Sequence, residues 1–81
     1  MKTALGQINT VIGDFAGNVE KIRTAAVRAR SEGAEIVVFP ELSVCGYPPM
    51  DLLDHETFVE ENAKALRELQ RTLPPGIAVV V

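Results

Sequence analysis

Glu41 closes the run Ile36-Val37-Val38-Phe39-Pro40-Glu41, in which a short apolar stretch is stopped by a proline and followed at once by a carboxylate. Pro40 has no N–H to continue a sheet ladder, and it biases Phe39 towards extended backbone. Open α/β sheets gather their chemistry outside the carboxyl ends of their parallel strands. Glu41 is therefore a candidate general base. In a dry pocket, desolvation would raise its pKa towards neutrality and suit it to accept a proton. The alternative is a solvated loop carboxylate, and position alone leaves both readings open.

The loop that follows, Leu42-Ser43-Val44-Cys45-Gly46-Tyr47-Pro48-Pro49, holds two further side chains of interest. Cys45 lies four residues after Glu41, a spacing that one helical turn would bring together. A thiol needs a base or a positive field to become a thiolate, however, and lone cysteines commonly serve as small buried hydrophobes. Tyr47 either lines a substrate entrance or plugs an apolar gap. Gln7 and Asn9 share one face of the first predicted strand near its carboxyl end, where they either orient a site or tie down a turn. His55 stands at a predicted helix start, without neighbours that would make a serine–histidine–aspartate arrangement. Asp51 and Asp54 bracket two leucines without the spacing of metal ligands. Gly13 and Gly17 do not form the glycine fingerprint of dinucleotide folds.

These residues need a scaffold, and the hydrophobic pattern supplies a β-α-β-loop-α-β order. Residues 3–9 alternate as a first strand, with Ala4, Gly6 and Ile8 on one face and Leu5, Gln7 and Asn9 on the other. After the Gly13-Asp14 and Gly17-Asn18 turns, either Gly17 or Asn18 caps a helix running to about Glu32. Val19, Ile22, Ala26 and Ala29 fall on one side of it, and Gly33 ends it. Residues 36–39 form a strand apolar on both faces. Asp54 caps a second helix over residues 56–73, with Val59, Ala63, Leu66, Leu69 and Leu73 as its apolar stripe and Glu60–Lys64 as an i,i+4 pair. Leu73-Pro74-Pro75-Gly76 stops that helix, and residues 77–81 form a last apolar strand. Crossovers of this length imply parallel strands with right-handed connections.

Eighty-one residues make at most one small domain, burying only about 60–65% of its unfolded surface. Ten valines and nine alanines, with no tryptophan, suit a layered α/β core better than an aromatic ligand cage. The net charge of −3, with basic residues interspersed among acidic ones, gives no footprint for nucleic acid. No apolar run approaches the roughly 20 residues that span a bilayer, and the N-terminus has no secretory pattern. A single cysteine forbids an internal disulfide and fits a reducing compartment. Soluble and cytoplasmic is the expectation. An apolar strand such as Ile77-Ala78-Val79-Val80-Val81 needs a neighbour and a second covering layer. The chain therefore reads as part of something larger, or as a module that completes its sheet through oligomerisation or strand exchange.

Ala4-Leu5-Gly6-Gln7-Ile8-Asn9, Gly13-Asp14-Phe15 and Gly17-Asn18 together resemble the first strand and turn of the carbon–nitrogen hydrolases, the nitrilase superfamily. Val37-Val38-Phe39-Pro40-Glu41 resembles the first catalytic motif of that family. Gly46-Tyr47-Pro48-Pro49 with Asp51-Leu52-Leu53 is similar to the glutaminase domains of glutamine-dependent NAD⁺ synthetases, and the match covers essentially the whole chain.

The resemblance implies an α-β-β-α sandwich, of which residues 1–81 would be the N-terminal β-α-β-α-β portion. It implies amide hydrolysis through a glutamate, a lysine and a cysteine, with Glu41 as proton acceptor; Tyr47 stays a candidate substrate contact by its place in the loop alone. Lys64 and Cys45 do not match the motifs that supply the lysine and the nucleophile, so this segment alone is expected to be inactive. The implied substrate is glutamine, bound by the whole domain, with ammonia passing to a synthetase domain that uses ATP and Mg²⁺. No cofactor or metal is expected in the segment itself. The expected partners are the rest of the parent polypeptide and further copies in a homo-oligomer, with no nucleic acid and no membrane. Two alternatives stand beside this one. One is another amidase or carbamoylase of the same superfamily; the other is a non-catalytic association module.

Overall fold

Three short parallel strands in the order β1-β2-β3 are joined by two long helices in a computed structural model that describes residues 1–40, 43–44 and 56–81. The elements are β1 (Thr3–Leu5), α1 (Phe15–Ser31), β2 (Ile36–Val38), α2 (Glu56–Thr72) and β3 (Ala78–Val80). The central strand β2 pairs on both sides, aligning Leu5 with Val38 and Val38 with Val80. The architecture is α/β, as the alternation of strand and helix patterns implies.

The ladder runs beyond the regular strands. Gly6 N–H donates to the Val38 carbonyl at 2.8 Å, and Phe39 N–H donates to the Val80 carbonyl at 2.9 Å. Pro40 brings no N–H, so β2 has nothing further to donate. This shortens β1 relative to its sequence pattern: residues 3–9 were expected as strand, but regular pairing stops at Leu5. The alternation itself persists past that point, with Ala4, Gly6 and Ile8 turned inward and Leu5, Gln7 and Asn9 exposed.

The cap of helix α1 stands three residues before Gly17 and four before Asn18, the two caps expected from sequence. Asp14 is the N-cap, and its carboxylate accepts from Gly17 N–H at 3.1 Å. An aspartate is among the best acceptors for the free N–H groups of a first turn. Gly17 makes room for it, since a Cβ there would collide with the Asp14 carboxylate. At the other end Gly33 adopts a φ of 88°, the left-handed conformation that glycine tolerates best. Ala34 N–H then reaches the Ala29 carbonyl and Gly33 N–H the Arg30 carbonyl, both at 3.0 Å. This is a Schellman closure, and Ala29 and Ala34 are both buried at its apolar contact.

Val19, Ile22, Ala26 and Ala29 of α1 meet Val37, Phe39 and Leu69 in the core. Right-handed crossovers in a 1-2-3 strand order put both helices on the same face of the sheet. Ala4, Val37 and Val79 point into that layer. On the opposite face Leu5 remains 74% exposed and Val80 51%.

Helix α2 presents a different stripe from the one its aliphatic spacing suggests. Leu66, Leu69 and Leu73 do face inward, but Val59 and Ala63 are exposed, while Phe58, Asn62, Ala65 and Thr72 turn in. Two contacts with α1 set this rotation. Phe58 stacks obliquely on Phe15 at 5.1 Å between ring centroids. The Arg23 guanidinium donates to the Thr72 hydroxyl at 2.7 and 3.0 Å. An aromatic pair and a charge-assisted hydrogen bond outweigh the burial of one valine and one alanine. The ion pair near the end of this helix is Arg71–Glu68, 2.6 Å, rather than Glu60–Lys64.

Candidate active site

The carboxyl ends of β1 and β2 lie side by side, and the chain leaving each strand is held by hydrogen bonds. Phe39, which follows β2 and is the last residue to donate into its ladder, is buried at 6% exposure with its ring against Gly6. Pro40 comes next and is exposed. Its carbonyl accepts from the hydroxyl of Ser43, which is itself buried.

Val44 is buried too, and its carbonyl accepts from Asn18 Nδ2 at 3.0 Å. The same amide of Asn18 grips Val11, in the loop leaving β1. Its Oδ1 accepts from Val11 N–H at 2.9 Å, and its Nδ2 donates to the Val11 carbonyl at 2.8 Å. One buried side chain therefore ties the loop after β1 to the loop after β2. Lys21 adds a further tie, donating to the Asn9 carbonyl.

Glu41, Cys45, Tyr47, Asp51, Asp54 and His55 lie outside the described residues. What the structure describes is their frame: Phe39 and Pro40 before Glu41, and Ser43 and Val44 after it. Gln7 and Asn9 are exposed at the carboxyl end of β1, as their alternation implies. Gln7 borders a cleft of about 360 Å³ with Ala4–Gly6, Arg28 and Glu32, and Asn9 contributes its backbone carbonyl to Lys21. Lys64 is exposed on α2 and borders a hollow with Phe15, Ala16 and Val19 of α1.

Sequence reasoning missed Asn18 and Ser43. Asn18 suits a helix cap by its type, yet Asp14 fills that role four residues earlier. An asparagine in the first turn of a helix that already has an aspartate cap is a residue freed for other bonds, and that was the available signal. Ser43 had none beyond its place two residues after Glu41.

Perturbed titration among the described residues falls elsewhere. Glu68 is held below the usual glutamate range by the hydrogen bond from the Arg71 guanidinium and, next, by its charge. Arg71 is raised by the same contact. Both side chains are on the surface of α2. Among the described residues, no three His, Cys, Asp or Glu side chains are grouped to hold a metal ion. None of the described helices is long and apolar enough to cross a membrane.

Residues 2–81 match the family profile described as carbon–nitrogen hydrolase. The chain is 49% identical over 78 residues to the glutamine-dependent NAD(+) synthetase of Synechocystis sp., covering 96% of this chain and 14% of that protein. It is 39% identical over 82 residues to the glutamine-dependent NAD(+) synthetase of Thermotoga maritima, covering all of this chain and again 14% of the relative. The chain thus spans about one seventh of the length of these curated relatives. Among solved structures it is similar to an amidase from Nesterenkonia sp., with a TM-score of 0.76 and 32% identity over 98% of this chain and 30% of that one.

Proposed function

This chain belongs to the carbon–nitrogen hydrolase family, and we propose that it is the portion of a glutamine-hydrolysing domain that carries the general base, Glu41. The observation that carries the reading is the frame around that residue. Glu41 follows Pro40 directly after the central strand, and the backbone on both sides of it is tied down by Ser43 and Asn18.

In this reading the nucleophilic thiol and the cation that stabilises the oxyanion come from residues beyond the segment. Glu41 takes the thiol proton as the sulfur attacks the side-chain carbonyl of glutamine. A C–S bond forms, and collapse of the tetrahedral intermediate breaks the C–N bond. The proton on Glu41 passes to the departing nitrogen, which leaves as ammonia. Water, deprotonated by the same carboxylate, then cleaves the thioester to glutamate. Tyr47 contributes to the substrate pocket.

Glutamine is assigned as substrate because the relatives matched at 49% and 39% identity are glutamine-dependent NAD(+) synthetases. The ammonia would then serve an ATP- and Mg²⁺-dependent amidation in a separate domain of the same polypeptide, and the segment itself needs no cofactor. The working assembly is a homo-oligomer in the cytoplasm. The 81 residues alone are inactive in this account, since they supply one of three reacting groups. Glutamine hydrolysis by the purified 81-residue chain would contradict that.

The similarity to the Nesterenkonia amidase favours a second reading, an amidase with the same base and a different acyl substrate. The remainder of the open reading frame separates the two. A downstream ATP-using synthetase domain supports glutamine hydrolysis coupled to amidation, and its absence supports the amidase.

A further inference from the structure

Asn18 is fully buried, yet neither the core nor a helix cap requires a polar side chain there. Burying an amide is unfavourable unless its hydrogen-bonding groups are paired. Asn18 meets that condition with three bonds, all to backbone: Val11 N–H, the Val11 carbonyl and the Val44 carbonyl. Ser43, only 1% exposed, repeats the pattern by donating to the Pro40 carbonyl. The two carbonyls held, Pro40 and Val44, bracket Glu41 in the sequence.

We propose that Asn18 and Ser43 are positioning residues for Glu41: Asn18 ties the Val44 carbonyl to the loop that leaves β1, and Ser43 holds the Pro40 carbonyl on the other side of Glu41. The proposal rests on the reading of Glu41 as general base. Neither residue needs to touch substrate. Their effect is geometric: a general base displaced by about 1 Å can lose on the order of 100-fold in rate.

The test uses the full-length polypeptide that contains this segment. Glutamine hydrolysis is measured against pH for the wild type, Ser43→Ala, Asn18→Ala and Glu41→Gln, with a melting curve for each. Ser43→Ala removes a single hydroxyl and is the variant that tests the idea if Asn18→Ala does not fold. We expect both positioning variants to lower kcat by about tenfold or more, with KM for glutamine changed by less than about threefold. They should also displace the acidic limb of the pH profile, which reports the general base.

A merely structural role would lower the melting temperature and leave kcat and the pH profile of the folded enzyme at wild-type values. That result with Ser43→Ala overturns the proposal while Glu41→Gln, if inactive, still upholds the base. Wild-type activity in Glu41→Gln overturns the base and the positioning role together.

Discussion

The phenyl ring of Phe39 lies so close to the backbone of Gly6 that a Cβ added to Gly6 would stand 2.5 Å from the ring. The last buried residue before Pro40 and Glu41 is therefore seated on the neighbouring strand at the one position that carries no side chain. Gly6 N–H also donates to the Val38 carbonyl at 2.8 Å, so ring and ladder are fixed at the same level of the sheet.

Gly6→Ala should destabilise the domain by about 1–3 kcal/mol through overpacking, since the ring can escape only by moving out of its place. Phe39→Leu in the same protein should recover part of that loss. Denaturant unfolding of the two single variants and the double variant checks this. A strictly additive cycle would mean that the two residues do not share the contact.

Asp14→Ala should cost about 1 kcal/mol by leaving the Gly17 N–H of the first turn without its carboxylate partner. Asp14→Asn or Asp14→Ser should retain most of the stability, because either side chain can accept the same bond. The comparison of three melting temperatures separates capping from a general effect of lost charge.

Much of this scaffold is legible in the chain itself. Gly33 at the end of α1, the arrest of β2 by Pro40 and the inward set Val19, Ile22, Ala26 and Ala29 all follow from local rules, and the structure bears each one out. The inward face of α2 was legible only in part. Its aliphatic spacing favours Val59 and Ala63, but the contacts of Phe58 with Phe15 and of Thr72 with Arg23 are long-range and turn the helix. The candidate site shows the same division. Glu41 stands out because a proline and an apolar strand precede it, whereas Asn18 acts through backbone carbonyls whose proximity no local pattern reveals.

The exposed sheet face gives a prediction about assembly. Leu5 and Val80, 74% and 51% exposed, flank Val38 in register across the three strands. If this face is covered by the rest of the parent polypeptide, Leu5→Lys should destabilise the full-length protein by about 2–5 kcal/mol, through lost apolar burial and an unpaired buried charge. The purified 81-residue chain should sediment as ill-defined aggregates unless the remainder is supplied. A stable oligomer of fixed size would instead favour the association module.

The Glu68–Arg71 pair predicts a small acid-sensitive term. The folded-state pKa of Glu68 is depressed, so its contribution is present above the unfolded glutamate pKa and fades as pH falls through the lower folded value. Both side chains are largely exposed, which keeps the effect small and sensitive to salt. Arg71→Ala should lower the melting temperature slightly at pH 7, and the difference should vanish once Glu68 is protonated. It should also shrink in about 1 M salt, where screening is short-ranged. A difference that grew in acid would contradict the sign.

Glu41 as the proton acceptor of glutamine hydrolysis is the central claim. It is tested most directly by comparing the full-length wild-type protein with Glu41→Gln in two assays, ammonia release from glutamine and product formation from added ammonia. Loss of a general base should slow glutamine hydrolysis by about 10²–10⁴-fold while the ammonia-driven reaction continues at the wild-type rate. Glutamine hydrolysis at the wild-type rate in Glu41→Gln would contradict the account.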